Sequence, residues 1–173
     1  MAVNAADALA SLAPAPGLVV LMCGLAGSGK TTFSQRLEHK GFTRLSIDEE
    51  LWKAGRFGVD FQPADYPRRL DAARAAMHER LVEILRGQTP VVVDSAFWNR
   101  AARDHYKALI EQHGGLWRLV YLKADSELLR DRLRERSRRF DANAQFEVTD
   151  AMLNRFLQSF EEPVGEGEVV VEA

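Results

Sequence analysis

The chain holds one cysteine, Cys23, among 173 residues, which excludes an intramolecular disulfide and fits a reducing compartment. It has no apolar run near the ~18–20 residues that cross a bilayer. Its Ala-rich first 16 residues lack the basic stretch that opens a secretory signal. Neither sign of charge dominates: 23 Lys and Arg against 25 Asp and Glu leave a net charge of −2 and a pI near 6.1. That is poor footing for non-specific nucleic-acid binding, which shows as a basic domain. Internal repeats and long linkers are also missing. A cytoplasmic location is therefore expected, with a short helix or frayed arm over residues 1–17 leading through Pro14-Ala15-Pro16-Gly17 into the first strand.

What the chain does have is a globular composition, 46% hydrophobic and 28% charged, and enough length for one domain with a proper core. Apolar runs suited to buried strands alternate with amphipathic segments, the signature of an α/β fold with a parallel sheet. The strands are expected at Leu18–Cys23, Thr43–Ile47, Pro90–Asp94, Leu116–Lys123 and Glu168–Glu172. Helices are expected at Lys30–Lys40, Pro67–Arg86, Arg100–His113, Ser126–Arg139 and Thr149–Phe160. Right-handed crossovers then give a three-layer α/β/α sandwich over residues 18–173, with ligands at the carboxyl ends of the strands.

The most informative stretch follows the first strand. Gly24–Thr31 reads G-L-A-G-S-G-K-T, which fits G-x-x-x-x-G-K-[ST] without a mismatch, and a helix is expected after it. Glycines let successive backbone N–H groups close around an oxyanion, and the positive end of the next helix adds to the field. Gly24, Gly27, Ser28, Gly29, Lys30, Thr31 and Thr32 are accordingly expected to bind a nucleoside triphosphate. Lys30 would reach the β- and γ-phosphates, and the Thr31 hydroxyl would sit on Mg²⁺.

A phosphate loop does not by itself separate a kinase from an NTPase, so the other charged residues matter. Asp48, at the end of the second strand, is placed either to orient an acceptor hydroxyl and take its proton or to cap a helix, and Ser46-x-x-Glu49 fits a capping box. Asp94 closes Val91-Val92-Val93 and suits a metal site, an acceptor contact or a cap. In Ser126–Arg139, a period of ~100° per residue sorts six arginines into two stripes. Arg130, Arg134 and Arg138 share a face with Glu127 and Asp131 and are expected to be solvated. Arg132, Arg136 and Arg139 lie on the side of Leu128 and Leu129, pointing inward, where transferring phosphates would satisfy them. The weakly periodic Arg138–Glu147 stretch reads as part of a mobile lid spanning residues 130–148. Trp52, Phe57, Phe61, Phe97 and Trp98 are available to line a pocket or simply to pack.

Assembled in this way, the chain resembles the small P-loop kinases, and more narrowly the group of polynucleotide kinase domains, zeta-toxin-like kinases and chloramphenicol phosphotransferases. The resemblance runs over residues 18–173 and rests on G-L-A-G-S-G-K-T-T, the strand ending at Asp48, V-V-V-D-S with Arg103 in the next helix, R-L-R-E-R, and Phe160-Glu161-Glu162-Pro163. It implies an ATP- and Mg²⁺-dependent phosphotransferase with Asp48 as base and Arg132 and Arg136 on adenine and phosphate. Lys30, Asp48 and Arg136 would be catalytic, and Asp48, Asp94 and Arg103 would be acceptor contacts. The sequence departs from the group at Ala96, where an acceptor-binding Asn is frequent. Three functions follow: a kinase for a small-molecule hydroxyl, a polynucleotide 5′-hydroxyl kinase, which the acidic pI disfavours, and a regulatory NTPase.

Overall fold

In the computed structural model, which describes residues 1–172, the apolar run Leu18–Cys23 forms β1 at the centre of a five-stranded sheet. β3 (Val91–Asp94) and β4 (Leu116–Lys123) flank it, and β2 (Thr43–Ser46) and β5 (Glu168–Glu172) form the edges. The order is β2-β3-β1-β4-β5, and every pairing is parallel, as expected from the alternation of strand and helix patterns. All six residues of β1 are buried because helices cover both faces of the sheet, which is why that strand reads as an unbroken apolar run.

Alternate β1 side chains feed separate cores. Val19, Leu21 and Cys23 pack with α3 (Ile47–Ala54), α4 (Tyr66–Arg86) and α5 (Arg100–Gln112). On the other face Val20 and Met22 meet α1 (Ala5–Ser11) and α2 (Lys30–His39). A third, smaller cluster joins α6 (Ser126–Arg136) and α7 (Asp150–Ser159) through Leu129, Leu133 and Leu153, with Leu25 and Ala26 of the phosphate loop packed against it. The fold thereby fastens two helices directly to the glycine-rich turn.

Two departures from the expected elements bear on the site. The second strand stops at Ser46 rather than Ile47, because the Ser46 hydroxyl accepts from Glu49 N–H (3.3 Å) and starts α3, a helix absent from the expected set. The helix from Ser126 ends at Arg136, three residues short of Arg139, and an irregular strap runs on to Thr149, whose side chain caps α7. Residues 1–17 contain α1, capped by Asn4, and its Ala8 lies in the core with Leu12 just beyond it. Lys40 ties that segment down by donating to the carbonyls of Leu9 and Leu12. Cys23 is fully buried, and burial pushes its thiol up to about 11, so the group is inert near neutrality. Among the described residues no helix is long and apolar enough to cross a membrane.

Candidate nucleotide and acceptor site

The turn after β1 is shaped by its glycines. Gly24 has φ +143°, and a Cβ there would lie 2.7 Å from both the Leu122 carbonyl oxygen and Ser28 Oγ. Gly29 (φ +100°) is the N-cap of α2 and supplies no side-chain partner to its first turn, so those N–H groups stay available to an anion. Ser28 Oγ is buried without a hydrogen-bond partner. Lys30 Nζ donates to Leu25 O (3.0 Å), folding back over the loop. Burial pulls the Lys30 ammonium down from the ordinary lysine range, while the charges of Asp94 and Asp48 oppose the shift. Gly27, Ser28, Gly29, Lys30, Thr31 and Thr32 all line one cavity of about 1300 Å³, and Gly24 sits behind it, donating to Ala96 O (3.1 Å).

The carboxylates reach the same cavity from the end of β3 and from the first turn of α3. β3, not β2, is the neighbour of β1, so Asp94 stands beside the phosphate loop and Ser46 pairs with it in register. Asp94 Oδ2 accepts from Ser34 Oγ (3.0 Å) and Arg44 Nη2 (3.1 Å), whereas among the described residues Oδ1 accepts from none. Arg44 also bonds Ser34 Oγ through Nε (2.9 Å) and pairs with Glu49. Asp48 is the second residue of α3; the cap itself is Ser46. Burial pushes the Asp48 carboxyl up and the negative Asp94 adds to the rise, against Lys30 and Arg136. Burial works against the charge of Arg136, with Asp48 supporting it.

From α6, Arg132 Nη1 lies 3.2 Å from Gly27 O and 3.4 Å from Ser28 O, and Arg136 lines the cavity together with Arg139, which lies beyond the helix end. The two stripes separate only in part. Arg134 and Arg138 are exposed, and Arg134 faces Asp131 and Asp150, but Arg130 is half-buried and reaches Asn154 Oδ1 (3.3 Å). Arg139, expected to point inward, is exposed and pairs with Asp141, because the helix stops before it. Arg103 is the correction. It is fully buried in α5, forks onto Glu166 (2.8 and 2.7 Å) and donates to Phe97 O (2.9 Å), away from the cavity. Each of its three guanidinium nitrogens donates to a protein oxygen, so it fastens α5 rather than facing an acceptor. Of the five aromatic candidates, Phe57 and Trp98 line the cavity. Phe61 and Phe97 are buried, and Trp52 packs edge-on to Phe140.

With the site in place, comparison decides the family. Residues 19–163 match the AAA domain family. The chain belongs to that family. Among solved structures this AAA domain is similar to a candidate kinase from Chloroflexus aurantiacus, with TM-score 0.69 and 17% identity, covering 91% of this chain and 89% of that one. A gluconokinase from Sinorhizobium meliloti matches with TM-score 0.60 and 24% identity over 91% and 82% of the two chains. Kti12 from Chaetomium thermophilum, solved with ADP-AlF3, matches with TM-score 0.64 and 15% identity over 89% and 88%. At these identities the likeness shows the fold, that of P-loop kinases and their NTPase relatives. No curated protein matches the sequence.

Sequence reasoning read the strap of this AAA domain only as a lid segment and missed the side chains it brings to the cavity. Gln145, buried, donates through Nε2 to Asp48 O (3.1 Å) and Ala142 O (3.0 Å). Phe146 packs on Phe57 (5.1 Å between centroids) and Tyr66 (5.6 Å), and all three rings line the cavity. Arg44 was also missed; its signal was a charge inside the short strand Thr43–Ser46.

Proposed function

We propose that this AAA domain is an ATP-dependent kinase that transfers the γ-phosphoryl group to a hydroxyl of a small-molecule acceptor. One observation carries the reading: Lys30, Asp48, Asp94 and Arg136 line a single cavity at the strand ends, and Lys30, Asp48 and Arg136 each feel the charge of at least one of the others. In the reaction the acceptor oxygen bonds to the γ-phosphorus as the bond to the β–γ bridging oxygen breaks. The electron pair leaves with ADP, and the hydroxyl proton passes to the Asp48 carboxylate. Lys30 and Arg136 offset the charge spread over the transferring oxygens. Arg132, already at the loop carbonyls, holds the lid side of the nucleotide.

Among the described residues no three or more His, Cys, Asp or Glu side chains gather as a metal cluster. That donor set fits Mg²⁺, which keeps several waters and binds one or two protein oxygens together with substrate phosphates. The Thr31 hydroxyl and the unengaged Oδ1 of Asp94 would hold it. When bound, it neutralises phosphate charge. A cytoplasmic setting agrees with a single buried thiol.

The test is turnover of Mg·ATP with and without hydroxyl compounds. ATP consumption should depend on an acceptor, and Lys30→Ala should lower it by roughly 10²–10³-fold with the fold intact. Turnover that no acceptor changes would make the protein an NTPase. Labelling confined to oligonucleotide 5′ ends would make it a polynucleotide kinase.

A further inference from the structure

The strap between α6 and α7 carries two side chains with an unmet need. Gln145 Oε1 and Asn143 Oδ1 are both buried and make no hydrogen bond. The orientation of the Gln145 amide is fixed by its surroundings: both partners of Nε2 are carbonyl oxygens, which accept only, so Oε1 is the free end. Gln145 is 7% exposed. An unpaired buried carbonyl is costly, and this strap bears two of them, two residues apart. Both residues line the cavity that also holds Asp48.

Opposite and beside them lies an aromatic wall. Phe57, Tyr66 and Phe146 meet edge-on or tilted, with centroids 5.1–5.7 Å apart. Leu70 and Pro63 extend this apolar surface along the cavity. Tyr66 feels the charge of Asp48, which places the wall close to the candidate base.

We infer that the strap and the aromatic wall form the acceptor subsite, and that it takes a polyhydroxylated compound of the carbohydrate class. This rests on the kinase reading above. The two amide oxygens and the Asp48 carboxylate are three hydrogen-bond acceptors, so the complementary ligand must offer several O–H donors. The aromatic faces suit the C–H face of a sugar or cyclic polyol. A purely apolar ring would leave the amide oxygens unpaired, and a nucleic-acid end would bring phosphates to a wall that offers them few donors. A ligand hydroxyl seated against the strap would supply the donors these oxygens lack, and Gln145 ties the strap to the backbone of Asp48 (3.1 Å).

The experiment is calorimetric titration of the full chain, in the presence of Mg²⁺ and a non-hydrolysable ATP analogue, with D-glucose, D-gluconate and myo-inositol. A 5′-hydroxyl oligonucleotide and a simple phenol serve as comparison ligands, and phosphoryl transfer from ATP to each is measured in parallel. At least one polyol should bind and be phosphorylated. Gln145→Met and Asn143→Leu should each weaken that binding by about ten-fold and raise the acceptor KM more than they lower kcat. Gln145→Met also cuts the tie to Asp48, but Asn143→Leu leaves it, so a loss seen in both reports on the oxygens. Deoxy versions of the bound polyol give the same readout on the unaltered protein and do not depend on the variants folding. Polyol binding that responds to the variants and the deoxy compounds, without transfer, upholds the subsite and overturns the kinase reading. Transfer to the oligonucleotide or the phenol with no polyol bound overturns the subsite and leaves the kinase. Polyol binding indifferent to both variants and to hydroxyl removal also overturns it.

Discussion

The molecule holds two groups of buried charge, one around Arg103 and one around Lys30, and they are built on different terms. Around Arg103 the charges are saturated: the guanidinium forks onto Glu166, the remaining nitrogen takes Phe97 O, and Lys107 donates to the Glu166 backbone (3.0 Å). Both side chains of the ion pair are closed to solvent, at 0% and 2% exposure. Around Lys30 the charges are held near one another but not spent on one another. Among the described residues neither Asp48 nor Arg136 makes a side-chain hydrogen bond, and Lys30 reaches only a loop carbonyl. The first arrangement fastens helix to sheet. The second leaves charge facing a cavity, where a ligand can complete it.

The largest effect should come from the open group. Asp48→Asn should lower phosphoryl transfer by roughly 10²–10⁴-fold while leaving the cap at Ser46 untouched. Because burial and Asp94 raise the Asp48 pKa, wild-type transfer should fall as the pH is lowered through a value above the ordinary aspartate range, and a pH–rate profile checks this. The sign for stability is the reverse. The folded carboxyl keeps its proton to higher pH than the unfolded one, so stability declines as pH rises through that window. Asp48→Asn should therefore melt at or above the wild-type temperature at neutral pH. A melting point several degrees lower would return Asp48 to a structural role.

Next comes the saturated group. Arg103→Met leaves Glu166 buried with Lys107 as its remaining charged partner and should cost about 3–5 kcal/mol in urea unfolding, with nucleotide affinity per folded molecule unchanged. Hydrogen bonding to Arg103 holds the Glu166 carboxyl below the usual range, so the stability it lends is present above the ordinary glutamate pKa and lost as the pH falls through the lower value. A loss of nucleotide or acceptor affinity without a loss of stability would reverse the assignment. The smallest effect belongs to Arg134→Ala, whose exposed pairs at 3.6 and 3.8 Å should change stability by under about 1 kcal/mol and turnover hardly at all. If it matched Arg136→Ala in a transfer assay, the division of α6 into two stripes would fail.

The comparison also explains what could be read from the residues. The phosphate loop was legible because its chemistry is backbone chemistry, local in sequence: Gly24, Gly29, Lys30 and Thr31 need only the strand before and the helix after them. The sheet was legible because a strand covered on both faces shows an apolar run whatever its neighbours are. Arg103 and Arg136 look alike in sequence, and only the fold tells which one meets Glu166, a residue far along the chain. Helix α3 was half legible: the Ser46-x-x-Glu49 capping box marks its start, but Ile47 extends the strand pattern and drew the element out as a strand. The strap was hidden because Gln145 and Asn143 acquire meaning only through Asp48 and the cavity they share with it.

The position of β1 also bears on how the chain is made. It is the first of the five strands along the chain and the central one in space, yet its two sheet neighbours begin only at Val91 and Leu116. At ribosomal rates of about 5–20 residues per second, Leu18–Cys23 waits roughly 5 to 20 seconds for its second partner. Until Asp94 is made its six consecutive apolar residues have no strand on either side, and until Lys123 is made they have one side open. A nascent-chain protease assay should find the first third of the protein unprotected until Lys123 has cleared the ribosomal tunnel.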